Sequence, residues 1–172
     1  IISGGTIVSS LFSDKLTKKL TTRIVVVVSV FLTAIALFGF SLSTEFWMLI
    51  VFAVPYGLGA GAIDAALNNY IAVHYASKHM SWLHCFWGVG TIVSPFVMSY
   101  ALTNSTWHAG YFIVGVIQSA IALLLLATLP VWKVNKSSSV NEQKSVGLAG
   151  ALKIKGVPFL LIGFFAYCAA EA

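Results

Sequence analysis

Four long apolar runs, at positions 24–42, 45–73, 82–102 and 111–131, constrain this chain more than any other feature. Crossing the hydrocarbon of a bilayer takes about 20 residues in helical form, and each run is long enough. Lipid supplies no water to bond exposed peptide groups, so such a segment must close its own backbone hydrogen bonds as a helix. Two further apolar stretches, 1–13 and 157–172, read as incomplete spans, because the sequence opens and stops inside them. The expectation is a piece of a longer, polytopic, all-α membrane protein. Composition agrees: 59% of residues are hydrophobic and 9% charged, against about 45–50% and 25% in soluble domains. So few charges cannot coat a soluble surface of this size. The first complete span opens with the β-branched run Ile24, Val25, Val26, Val27 and Val28, which suits a helix facing lipid.

The net charge of +5 raises the question of nucleic acid. Its distribution answers against it, because the basic residues sit in connections between spans. Lys15, Lys18, Lys19 and Arg23 follow the first stretch, Lys78 follows the third, and Lys133, Lys136, Lys144, Lys153 and Lys155 follow the fifth. The connections at 43–44 and 103–110 carry none. By the positive-inside rule the basic side is cytoplasmic, in a multi-pass protein of the cell membrane. The polar stretch 133–156 contains Ser137, Ser138, Ser139, Asn141, Glu142 and Gln143 and reads as a solvated connection. Its end, 146–154, has the composition of a short interfacial helix. The expected organisation is a helical bundle at 1–131, a cytoplasmic linker at 132–156, and the start of a second bundle at 157–172.

Little here points to an enzyme. No Ser/His/Asp arrangement, phosphate loop or dinucleotide motif is present, and no cofactor is implied. His74, His79 and His84 recur at five-residue steps, which do not share a helix face, so they predict no metal site. Cys85 and Cys168 each lie within an apolar run and read as buried thiols.

The informative residues are the polar ones inside spans. Asp64 lies deep within 45–73, where an ionised carboxylate costs about 2.5–3.5 kcal/mol. It must face protein or water, or hold a proton. It is therefore either a proton-exchanging group or a structural hydrogen-bonding group. Gly57, Gly61, Asp64 and Asn68 fall on one helical stripe. Gly57 and Gly61 form a small-xxx-small pair of the kind that admits a neighbouring helix, and Asn68 is either polar glue or a substrate contact. His84, Gly88, Thr91 and Pro95 make a similar stripe in the next span, with Trp87 beside it. Gln118 is the strongly polar group of the fifth stretch and reads as an interhelical hydrogen bonder. Glu171 is a second carboxylate within apolar sequence.

Some of these patterns resemble a known family. Asp14, Lys15, Lys18 and Lys19 resemble the loop signature between the second and third helices of the major facilitator superfamily. There a glycine precedes an acidic residue by four positions, then come a basic residue, a glycine and two more basics; Ser10 and Thr17 stand at the glycine positions. The glycine-rich approach to Asp64, with Asn68 four positions on, resembles the fourth helix of the fucose:proton symporter branch. Asp64 occupies the place of a glutamate implicated in proton coupling, with its carboxylate about one methylene nearer the backbone. Leu83 through Gly90, running on to Pro95, resembles that branch's fifth helix, and Glu171 following Tyr167 resembles the start of its seventh.

The resemblance implies a truncated major facilitator bundle, helices two to seven of twelve, with inverted repeats and alternating access about a central site. It implies proton coupling at Asp64 and Glu171, a substrate path lined by Asn68, His84 and Trp87, and a gating loop at Asp14, Lys15, Lys18 and Lys19. The expected function is transport of a small solute, a sugar first, coupled to protons. The alternatives are a drug/proton antiporter of the same fold, or a channel or receptor sharing only the helices.

Overall fold

A computed structural model of the chain describes residues 1–132, 150 and 153–171. The expected linker segment at 133–149 and most of the expected interfacial helix at 146–154 lie outside the described residues, as do the side chains of Asp14, Lys18 and Glu171. The chain divides into two units, Ile1–Trp132 and Lys133–Ala172. The first contains α1 (Ile2–Leu20), α2 (Thr22–Leu42), α3 (Phe46–His74), α4 (Ser77–Asn104), α5 (Trp107–Thr128) and a closing 3-10 turn, Leu129–Val131. The second contains α6 (Val157–Glu171). Helices α2, α3, α4 and α5 are long and apolar enough to span a membrane.

The first reversal departs from expectation. The basic motif at 10–19 is not a loop but the last turns of α1. With Ser10 and Thr17 where glycines were expected, no helix breaker is present, and Lys15, Leu16, Lys19 and Leu20 are good helix formers. The turn is compressed into Thr21, whose φ of 69° lies in the left-handed region. A β-branched residue rarely adopts that conformation. The Thr21 carbonyl already accepts from the N–H groups of Ile24 and Val25, so α2 begins directly after it. The remaining reversals are two or three residues long, at 43–45, 75–76 and 105–106, with extended backbone at Ser43, Glu45, Tyr75, Ala76 and Thr106.

Helix α2 is the centre of the unit, and this corrects the reading of its valine run as lipid-facing. Val25, Val26 and Val27 are buried, and only Ile24 and Val28 of that run are exposed. Valine has one strongly preferred helical rotamer, so packing it costs little side-chain freedom. Here it meets alanines: Val25, Val26 and Val30 cluster with Ala62 and Ala66 of α3 and Ala122 of α5. A second cluster sits at the other end of α2, where Leu37 and Phe40 meet Ala53, Tyr56, Tyr111 and Val114.

Three seams hold the unit together. Along α2 and α5, which run antiparallel, His108 Nε2 donates to the Ser43 carbonyl at 2.9 Å. Phe38 and Phe112 pack edge to face, Gly115 faces the Phe38 ring, and Gln118 Nε2 donates to Thr33 Oγ1 at 3.0 Å. Between α2 and α3, Gly59 lies against Thr33 and the Ser29 carbonyl. Between α1 and α3, which run parallel, backbones nearly touch. A methyl group on Gly57 would collide with the Ile2 carbonyl, and one on Gly61 with the Thr6 carbonyl. Such approaches release no hydrophobic energy in lipid; they gain dispersion contacts and hydrogen bonds instead.

Candidate functional site

The α1–α3 seam leads down to the candidate site. Ser9 Oγ donates to the Leu58 carbonyl at 2.5 Å and Ser10 Oγ to the Gly61 carbonyl at 3.3 Å. One helical step beyond Gly61 stands Asp64, exposed within this unit. One turn further, Asn68 Nδ2 donates to Asp64 Oδ1 at 2.9 Å. The other end of that carboxamide, Asn68 Oδ1, is buried and has no hydrogen-bond partner among the described residues. A buried acceptor left without a donor costs about 1–3 kcal/mol. The pair therefore combines an exposed carboxylate with an amide whose carbonyl end is buried.

Pro55, Gly57, Gly59 and Gly61 explain the local geometry. Pro55 sits inside α3 and removes one backbone donor. The glycines let α1 and α2 approach from two sides at once. Asp64 and Asn68 follow where the stripe leaves this tight stretch.

The other candidate residues are not joined to this pair. His84 and Trp87 lie on α4 with exposed side chains, and neither is hydrogen-bonded or ring-stacked among the described residues; Cys85 between them is exposed too, which corrects its reading as a buried thiol. Lys15 lies over the Phe12 ring at 5.7 Å from its centroid, and Lys19 is exposed. Glu171 ends α6 in the second unit. No group of three or more His, Cys, Asp or Glu able to hold a metal occurs among the described residues. An open, mostly apolar depression of about 400 Å³ lies at the opposite end of the unit from Thr21, between Ile2, Phe40, Phe46, Ala53 and Tyr111. It does not include Asp64 or Asn68.

Sequence reading missed two features. One is the α1 partner of the glycine stripe: Gly5, Thr6, Ser9 and Ser10 supply small groups and hydroxyls, and their helical spacing was the available signal. The other is a chain of rings at the basic end. Trp132 packs on Tyr70 at 5.4 Å, Tyr70 stacks on His74 at 4.5 Å, and Tyr75, His79 and Trp82 continue the series. His74 and His79 each turn Nδ1 to a local carbonyl, of Tyr70 and Ala76. These rings gather at the end of the unit that carries the basic residues; Trp and Tyr are commonly enriched at membrane surfaces.

No curated protein and no solved structure matches this chain. The family model of the Major Facilitator Superfamily matches residues 1–171. With the all-helical bundle and its membrane-length helices, that match covers both units. The chain belongs to the Major Facilitator Superfamily, whose members carry small molecules across lipid bilayers.

Proposed function

We propose that this major facilitator transporter is a proton-coupled carrier of a small polar solute, a sugar being the leading class. The observation behind this reading is Asp64, a carboxylate within the membrane-length helix α3 whose one described hydrogen bond comes from Asn68. A charge idle at that depth is costly; one that takes up and releases a proton gives the cost a function. In the protonated form Asp64 lets the bundle close around it, and in the ionised form it waits for an open, watered side.

The substrate path includes Asn68 beside the proton site and His84 and Trp87 on α4. An indole face can stack on a sugar ring, and an imidazole can bond a hydroxyl. The basic end, with Lys15, Lys18, Lys19, Arg23 and Lys78, faces the cytoplasm of a cell-membrane protein. Its gating charges are Asp14, Lys15, Lys18 and Lys19. The segment 132–156 is a linker on that side, and Glu171 is a second carboxylate of the coupling path.

The experiment is uptake into proteoliposomes with and without an imposed pH gradient. Asp64→Asn keeps size and hydrogen bonding but cannot titrate. It should abolish accumulation against a substrate gradient while sparing exchange down one. Accumulation by Asp64→Asn at the wild-type level would make Asp64 structural and move the coupling site elsewhere.

A further inference from the structure

We propose that Asn68 is the positioning residue of Asp64: its carboxamide reads the protonation state of the carboxyl and passes that state into the packed interior of the bundle. This rests on the reading of Asp64 as the proton site. The observation is the division of one side chain between two environments. Asn68 Nδ2 donates to Asp64 Oδ1 at 2.9 Å on the open side, while Asn68 Oδ1 is buried without a donor.

A carboxamide is a donor at one end and an acceptor at the other. An ionised carboxylate only accepts, so it holds the N–H₂ end, and the carbonyl end must point into the packing. A protonated carboxyl carries an O–H that donates. It can then be met by the carbonyl end, after a half-turn about the last side-chain torsion that swaps the two ends. Protonation of Asp64 thus converts a buried acceptor into a buried donor, with no movement of the backbone. The element it changes is the packing of α3 around the buried Asn68 carbonyl, about two to three turns along the helix from the close approaches at Gly57, Gly59 and Gly61.

Among the described residues the pair has no further polar partner at the carboxylate. The described charged or titratable groups near the basic end of the neighbouring helices are Lys15 and Lys19 on α1, Arg23 on α2, and Lys78, His79 and His84 on α4. None of them forms an ion pair or hydrogen bond with Asp64. Asn68 is its one polar partner among the described residues.

The test is the pH dependence of counterflow of a radiolabelled monosaccharide in proteoliposomes, with equal pH on both sides. The bond to the charged form is the stronger of the two states' bonds. Removing it with Asn68→Leu should therefore favour the protonated form and move the midpoint upward by roughly one pH unit, a tenfold change in proton affinity. Asn68→Gln, which restores both ends of the amide, should bring the midpoint back toward wild type. A lowered rate with an unmoved midpoint in Asn68→Leu would overturn the proposal and leave Asn68 as packing or as a substrate contact. A control separates this failure from failure of the underlying reading. If the midpoint persists in Asp64→Asn, Asp64 is not the titrating group, and that reading falls whatever Asn68 does. If it vanishes there but does not move in Asn68→Leu, only the role of Asn68 falls.

Discussion

Helices α3 and α4 carry nearly the same device and use it differently. Each has an internal proline, and each has a stripe of small and polar residues: Gly57, Gly61, Asp64 and Asn68 on α3, and His84, Gly88, Thr91 and Pro95 on α4. On α3 the glycines are buried against Ile2, Thr6 and Thr33. On α4 nothing lies within 4 Å of a methyl placed on Gly88 or Gly90, and only 6% of its most apolar stretch is buried, against 28% for α3 and 61% for α2. α4 is held chiefly near its far end, where Met98 and Ala101 meet Gly110 of α5. Helical spacing of small residues therefore marks a surface able to receive another helix. It does not say whether that surface is occupied within the same unit.

The sharpest way to break this comparison is to enlarge the glycines. Gly61→Leu should remove the folded protein from the membrane, because the new side chain must displace the α1 backbone rather than a flexible neighbour. Gly57→Leu should do the same, while Ala at either site should lower yield without abolishing it. Gly88→Leu should leave expression and detergent-extracted monodispersity near wild type. Equal damage at Gly61 and Gly88, measured by fluorescence-detected size exclusion, would show that α4 also receives a helix on its glycine face.

The next contrast concerns the polar residues on the two stripes. Asp64→Asn should reduce the accumulation ratio under a pH gradient to the equilibrium value. His84→Gln, on the exposed stripe of α4, should alter apparent substrate affinity a few-fold and leave accumulation in place. Loss of accumulation in His84→Gln with retention in Asp64→Asn would reverse the assignment of the two helices.

How far these differences were legible in the sequence depends on the interaction involved. The helices, their approximate limits and the all-α class follow from apolar length, because lipid leaves the backbone no other choice. The Asp64–Asn68 bond follows from spacing, since positions four apart share a helix face. Partner identity did not follow. Ser9 and Ser10 look like any serines until Leu58 and Gly61 are opposite them, and the buried valines of α2 carry the same hydropathy they would have facing lipid. In a membrane, inside and outside are both apolar, so the pattern that separates them in a soluble helix is absent. The end of α1 is hidden for another reason: the family's loop signature carries two glycines, and Ser10 and Thr17 stand in their places within a continuous helix.

Smaller effects are expected along the α2–α5 seam. Gln118 donates to Thr33, a buried residue whose own hydroxyl bonds the Val30 carbonyl. Gln118→Leu removes the interhelical bond but keeps the volume and leaves the Thr33 hydroxyl its bond to Val30. Interhelical hydrogen bonds in membranes average about 0.6 kcal/mol and reach about 1.7. Midpoint unfolding temperature in detergent should fall by a few degrees, with transport kinetics unchanged. A selective loss of transport at full stability would place Gln118 on the substrate path instead.

The smallest expected effect tests how the α1–α3 seam is held. Ser9 and Ser10 donate to carbonyls of Leu58 and Gly61, and those carbonyls lie within a continuous helix that already offers them N–H partners. Each hydroxyl is thus a second donor to a satisfied acceptor, and removing it strands no buried group. Alanine is nearly the size of serine, so the close approach at Gly57 and Gly61 survives. The Ser9 bond is the shorter, at 2.5 Å against 3.3 Å, so Ser9→Ala should cost more than Ser10→Ala. Both should stay within about 0.6 kcal/mol, and the double variant should equal the sum of the singles if the hydroxyls act independently. Thermal unfolding of the two single variants and the double variant closes the cycle. A double variant as damaged as Gly61→Leu would mean that hydrogen bonds, and not backbone proximity, keep α1 on α3.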